Sequence, residues 1–226
     1  MSEMRGKRAV VTGGSKGIGR AVGQRLAQEG VAVWLVSRTM EGALPEGCQG
    51  FACDVADFEA VREMAAQIGP IDLLVNAAGV AGFESVMDSD PALWRRVIET
   101  NLIGAYHCAK VFLPGMLTKR SGHILNIGSV ASYTAFPGAT AYCASKAGLL
   151  MFSRSLAMEV RGEGVKVSAL LPGATDTPLW ETTSSRPPKD EMMKPEHIAE
   201  AAMAILTQPE GSVIDELRVM PPLGVL

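Results

Sequence analysis

Along this chain short apolar runs alternate with longer amphipathic stretches, and glycine or proline stands at most of the junctions between them. Arg8 to Thr12 is a β-branched run that predicts a first strand. The glycine-rich turn Gly13 to Gly19 follows at once, and a helical pattern then continues to about Gly30. Val31 to Val36 is continuously apolar, as a strand covered on both faces of a parallel sheet must be. The link from Thr39 to Gly50 carries Gly42, Pro45 and Gly47 and is too broken for a helix. Beyond it, Phe51 to Asp54 predicts a third strand. Asp57 then caps a helix through Ile68, with Phe58, Val61, Met64, Ala65 and Ile68 on one side.

The alternation continues to the C-terminus. Ile71 to Val75 predicts a fourth strand, and Pro91 to about Leu117 a helical stretch interrupted at Asn101 and Gly104. His123 to Ile127 predicts a fifth strand, Thr140 to Arg161 a long helix, and Val165 to Leu171 a sixth strand closed by Pro172 and Gly173. The polar, proline-rich stretch from Thr175 to Pro195 reads as a surface excursion, and residues 177–195 as a cover over a pocket. Pro195 opens a last helix through Leu206, Glu216 to Met220 predicts a seventh strand, and the apolar tail Pro221 to Leu226 wants a partner surface. Together these elements predict one α/β domain over residues 1–226, a doubly wound, mostly parallel seven-stranded sheet with helices on both faces.

Composition narrows the function. At 226 residues and 47% hydrophobic, with 24 glycines, the chain suits a single well-packed core. A net charge of −3 without basic runs argues against nucleic acid as a partner. No apolar leader precedes the first strand and no stretch approaches the ~20 apolar residues of a membrane span, so a cytoplasmic protein is expected. Cys48, Cys53, Cys108 and Cys143 lack metal-ligand spacing, and His107, His123 and His197 are scattered, so neither a metal site nor a disulfide framework is expected. Cys143 reads as a small packing residue.

The candidate chemistry centres on Tyr142 and Lys146, four apart in a predicted helix and therefore on one face. A cation beside a phenol favours the phenolate and brings it toward the range of a useful proton donor and acceptor. Ser129 stands at the end of the fifth strand, facing the same crevice as the start of that helix. The Gly13, Gly17 and Gly19 turn lies between a strand and a helix, where backbone can approach a phosphate and helix N–H groups can bind it. At the end of the second strand Ser37 and Arg38 stand where a dinucleotide's adenosine ribose falls. With Lys16, the basic Arg38 favours NADP(H) over NAD(H). The small residues Ala77, Ala78 and Gly79 after Asn76 leave room for a ligand, or equally for close packing. Asn101 is either a satisfied core amide or a holder of water.

Taken in order, Thr12-Gly13-x-x-x-Gly17-Ile18-Gly19, Asp54, Asn76-x-Ala78-Gly79, Asn101, Ser129, Tyr142-x-x-x-Lys146 and Pro172-Gly173 resemble the short-chain dehydrogenase/reductase family, over nearly the whole chain. The resemblance implies a Rossmann fold that binds NADP(H) and moves a hydride between nicotinamide and a carbonyl or alcohol. It implies that the glycine loop with Ser15, Lys16 and Ile18 holds the pyrophosphate, and that Lys16 and Arg38 hold the 2′-phosphate. It places Asp54 and Val55 against the adenine and Asn76 to Gly79 against the adenosine ribose. Pro172 and Gly173 lead to Thr175 and Thr177, which would hold the nicotinamide carboxamide and phosphates. The same resemblance makes Tyr142 the general acid/base and Lys146 the residue that binds the nicotinamide ribose and lowers the tyrosine pKa. Ser129 would orient the carbonyl oxygen and Asn101 hold a relay water.

Three departures qualify it: Ala77 replaces a second asparagine, the helix between the second and third strands is missing, and the C-terminal strand lacks an Asp-Gly-Gly ending. The last points away from oxoacyl-carrier-protein reductases and toward reductases of hydroxy acids and small aldehydes. The expected activity is an NADPH-dependent carbonyl reductase. Its alternatives are a catalytically silent NADP(H)-sensing protein and the oxoacyl-carrier-protein reductase as the nearest enzymatic variant. The resemblance also implies a homodimer or homotetramer built on the two long helices. Phe83, Tyr133, Phe136, Leu179 and Trp180 fall in segments able to line the substrate pocket, with Ser129, Phe136 and Trp180 the foremost candidates to meet substrate. Arg186 and Lys189 could meet a carboxylate or remain solvated.

Overall fold

Main-chain pairing in the computed structural model joins seven strands into one parallel sheet; the structure describes residues 4–40, 42–182 and 186–224. The first three residues of the expected leaderless start, the centre of the expected cover at 183–185, and Val225 and Leu226 of the apolar tail lie outside the described residues. The strands are β1 (Arg8–Thr12), β2 (Ala32–Ser37), β3 (Cys48–Ala52), β4 (Leu73–Asn76), β5 (Gly122–Ile127), β6 (Val165–Pro172) and β7 (Glu216–Val219). Their spatial order is β3-β2-β1-β4-β5-β6-β7. The chain winds outward from β1 to β3, then returns to β4 and winds the other way, which opens a crevice at the carboxyl ends of β1 and β4.

Alternation along the strands feeds two cores. Ala9, Val11, Leu73, Val75 and Leu125 point to one face, where α1 (Gly17–Gln28) and α6 (Pro195–Leu206) cover them with Val22, Leu26, Ile198 and Ile205. Val10, Leu74, Ile124 and Val167 point to the other, under α2 (Phe58–Ile68), α4 (Gly104–Lys119) and α5 (Thr140–Val160). Each fully buried aliphatic side chain in these layers contributes about 1.5–3 kcal/mol by leaving water.

Two elements differ from the pattern's prediction. β3 begins at Cys48, ahead of Phe51, because Val33 to Leu35 of β2 pair with Cys48 to Gly50 whatever their polarity. The interrupted helix is three pieces, α3 (Pro91–Ile98), a π-helical turn (Glu99–Ile103) and α4. The turn lets Asn101 reach the chain at Val80, and at Gly104 a Cβ would lie 2.6 Å from Val55 Cγ2, so only glycine lets the helix pass that close. Among the described residues no helix stands between β2 and β3.

At the opposite end of the sheet, His123 is buried at 6% exposure with its Nε2 2.8 Å from the Ser168 hydroxyl. Burial, and then the charges of Lys166 and Lys7, depress its pKa to about 4. The unfolded chain takes up this proton near pH 6.5 and the folded one only near 4, so stability present above pH 6.5 is lost as pH falls through that window. The loss attributable to His123 approaches about 3 kcal/mol by pH 4. Denaturant midpoints measured from pH 7 to 4 should fall less steeply in His123→Gln, which does not titrate there.

Candidate active site

The glycine turn is built by close approach. Gly13 has a positive φ of 67°, and a Cβ on it would lie 2.5 Å from the Ala77 carbonyl oxygen. A Cβ on Gly19 would meet the Gly13 carbonyl oxygen at 2.5 Å. The turn is thus pressed against the loop after β4, and the Thr12 hydroxyl accepts the N–H groups of Ala77 and Ala78, both at 3.1 Å. Thr12 belongs to the glycine motif, yet spacing alone assigned it no task.

A cleft of about 390 Å³ runs over this turn. Of the candidates named from the sequence, Gly13, Ser15, Lys16, Gly17, Ile18, Gly19, Ser37, Arg38, Asp54, Val55, Ala77, Ala78, Gly79, Tyr142, Lys146 and Thr177 line it. Cys53 and Thr100 join them without having been anticipated. An elongated nucleotide fits this donor set: backbone and two cations toward one end, a phenol and an ammonium at the other, and a glycine floor that side chains would fill.

Asn76 is a correction. It is 3% exposed and outside the cleft, donating to Asn126 Oδ1 at 2.8 Å, while Asn126 donates to Ser153 Oγ at 2.8 Å. Its position two residues after Leu74 puts it on the face beneath α5 rather than in the crevice. Asn76 Oδ1 has no partner among the described residues, so the amide supports the sheet at some cost in desolvation.

A second cavity, about 470 Å³, adjoins the cleft, and Ile18, Gly128, Tyr142, Thr177 and Leu179 belong to both. Ser129, Phe136, Trp180, Pro172, Gly173 and Thr175 line the second cavity and not the first. Phe83 lies 5.8 Å from the Tyr142 ring and stacks on Trp180 at 6.2 Å and 10°. Tyr133 is a further correction: it is 53% exposed and binds Glu216 and Arg154 at the surface, 2.8 Å from the Arg154 Nη2. Arg186 lines the second cavity, but Asp176 holds its guanidinium at 2.9 Å and Lys189 at 3.2 Å.

At the shared boundary Tyr142 is half-buried, with Ser129 close enough to its hydroxyl to favour the phenolate. Lys146 is 5% exposed, donates to the Ile127 carbonyl at 2.8 Å, and sits 5.8 Å from the tyrosine ring centroid. Burial lowers the Lys146 pKa to about 8. The expected lowering of the tyrosine pKa by Lys146 is not what the structure shows: desolvation leads and raises it, with the Ser129 hydrogen bond working the other way. Asn101 resolves to the satisfied amide. Its Oδ1 accepts from Val80 N at 2.8 Å, and its Nδ2 donates to Val80 O at 2.9 Å and Ser145 Oγ at 3.0 Å. Ser145 in turn donates to the Tyr142 carbonyl at 2.8 Å, a link that spacing did not reveal.

Residues 7–188 match a family model described as short chain dehydrogenase. The chain belongs to the short-chain dehydrogenase family. It is an oxidoreductase of that family by the same match. Among family relatives it is 39% identical over 188 residues to a 3-oxoacyl-[acyl-carrier-protein] reductase of Haemophilus influenzae, spanning 79% of this chain and 78% of that one. To the reductase of the same name from Vibrio harveyi it is 36% identical over 230 residues, 93% of each chain. A metagenomic short-chain oxidoreductase solved in complex with NADP superposes with a TM-score of 0.82 at 32% identity, covering 97% of this chain and 99% of that one. A serine dehydrogenase complexed with NADP+ gives a TM-score of 0.87 at 28% identity over 97% and 96%. Among the described residues no group of three or more His, Cys, Asp or Glu could hold a metal ion, and no helix is long and apolar enough to cross a membrane.

Because Thr12 is 1% exposed and its hydroxyl serves two backbone N–H groups, Thr12→Val strands both donors. Stability should drop by about 1–3 kcal/mol in urea unfolding, and NADPH affinity should fall with it as the loop after β4 loosens.

Proposed function

We propose that the chain is an NADP(H)-dependent carbonyl reductase that also runs as an alcohol dehydrogenase. One observation carries the reading: Tyr142 lines both the nucleotide cleft and the second cavity, with Ser129 beside it in the second and the Lys146 ammonium one helical turn behind. The bound nicotinamide supplies the hydride. Tyr142 supplies the proton, and Ser129 donates to the carbonyl oxygen on which negative charge grows. Burial raises the tyrosine pKa, so the phenol carries the proton that the carbonyl oxygen takes up. Lys146 holds the nicotinamide ribose, and Asn101 acts as a positioning residue by fixing Val80, next to Gly79, in the cleft wall.

Two further parts of the reading concern the cofactor and assembly. Lys16 and Arg38 beside Ser37 in the cleft lining support binding of a 2′-phosphate, and the NADP in the related short-chain oxidoreductase agrees. Ile103 and Tyr106 near the start of α4, with Met151 and Met158 of α5, are exposed apolar groups on the two long helices, and they support a homodimer or homotetramer.

Tyr142→Phe should lower carbonyl reduction about 10²–10⁴-fold while NADPH fluorescence titration shows the affinity kept within about threefold; unchanged turnover would overturn the reading. The same titration in the parent protein should show affinity weakening as pH rises through about 8, where buried Lys146 loses its proton. Arg38→Leu should cut the preference for NADPH over NADH by about tenfold or more, read as the ratio of the two kcat/KM values.

A further inference from the structure

We propose that the substrate is an uncharged ketone bearing an aryl group on its carbonyl carbon; this rests on the reductase reading of Tyr142 given above. The phenol that must meet the carbonyl oxygen begins a row of rings. Phe83 lies 5.8 Å from it at 38°, and Trp180 lies 6.2 Å beyond Phe83 and nearly parallel to it. Aromatic rings associate best at centroid separations of about 4.5–7 Å in offset or tilted arrangements. The wall is therefore already spaced as an aromatic stack, and it offers a substituent on a carbonyl at Tyr142 a row of rings to lie along. An aryl group gains ring contacts as well as burial there, whereas a methyl group gains little of either.

The polar groups of the wall point to the same class. The indole N–H of Trp180 is held by the Thr175 carbonyl at 2.8 Å, so it anchors the ring and is spent as a donor. Charge is balanced as well. Among the described residues the cavity lining holds one cation, Arg186, and one carboxylate, Glu191. The Arg186 guanidinium is bound to Asp176 at 2.9 Å, and the other oxygen of Asp176 binds Lys189 at 3.2 Å. These half-exposed pairs add little to stability, but they decide what an anion meets. A carboxylate entering the cavity would have to compete with Asp176 for both cations and pass Glu191. A neutral ketone faces no such competition.

Three substrates separate ring from charge: methyl benzoylformate, methyl pyruvate with methyl in place of phenyl, and benzoylformate with a carboxylate in place of the ester. With NADPH, kcat/KM for methyl benzoylformate should exceed each of the other two by about tenfold. Trp180→Ala and Phe83→Leu should each bring the phenyl-to-methyl ratio within about threefold, leaving the ester-to-acid ratio unchanged. Asp176→Asn, which releases Arg186 and Lys189, should do the reverse and raise benzoylformate relative to its ester. NADPH titration establishes that each variant is folded, and the Phe83→Leu result stands alone if Trp180→Ala does not fold. Methyl pyruvate or benzoylformate used as well as methyl benzoylformate would overturn the proposal, as would a phenyl-to-methyl ratio that neither aromatic variant moves. Reduction of other carbonyl compounds but none of these three would overturn the aryl assignment and leave the reductase reading standing; no reduction of any carbonyl would overturn both.

Discussion

A cation held out of water organises the catalytic end of this molecule. The Lys146 ammonium is 5% exposed, and removing it from solvent is tolerable only where the protein returns hydrogen bonds. The Ile127 carbonyl at the end of β5 provides one at 2.8 Å, and the Ser132 hydroxyl ties the Lys146 carbonyl from the segment between. The start of α5 is thereby locked to the end of β5, and Tyr142 and Ser129, carried on those two elements, are brought together. Gly79 flanks it on the other side, where a Cβ would lie in ordinary contact, 3.8 Å from the ammonium and 3.5 Å from Asn101 Oδ1.

Most of this was legible in the sequence, for reasons that differ from residue to residue. Helical spacing placed Tyr142 and Lys146 together, and the rule that open parallel sheets bind ligands at their carboxyl ends brought Ser129 and the glycine turn to the same crevice. Asn76 misled because its place in the motif was weighed and its strand phase was not: sharing a face with Leu74, it belongs to the layer under α5. Tyr133 failed for a different reason, the distant Arg154 and Glu216 that draw it to the surface. Asn101 and Gly104 were visible as breaks. Whether a break ends a helix or inserts a π turn depends on Val80 and Val55, which no local pattern contains.

The two cavities share a wall rather than a passage alone. Thr177 stands against Gly17, where a Cβ would meet its Cγ2 at 3.3 Å, and it lines both spaces along with Leu179. The loop after β6 thus closes one side of the nucleotide cleft and one side of the neighbouring cavity with the same residues. Trp180, anchored on Thr175, carries that continuity to Phe83 and the loop after β4.

The link between β2 and β3, without a helix among its described residues, has its own effect. β3 is left at the margin of the sheet with β2 as its hydrogen-bonding neighbour, and Gln49, Gly50 and Ala52 face solvent. A margin with so little cover separates at lower cost than the strands inside it. Ser37 and Arg38 lie at the end of its paired neighbour β2, so a phosphate bound there would fasten the border strand as a clasp does. Local order at that border and grip on such a phosphate would then be two readings of a single equilibrium.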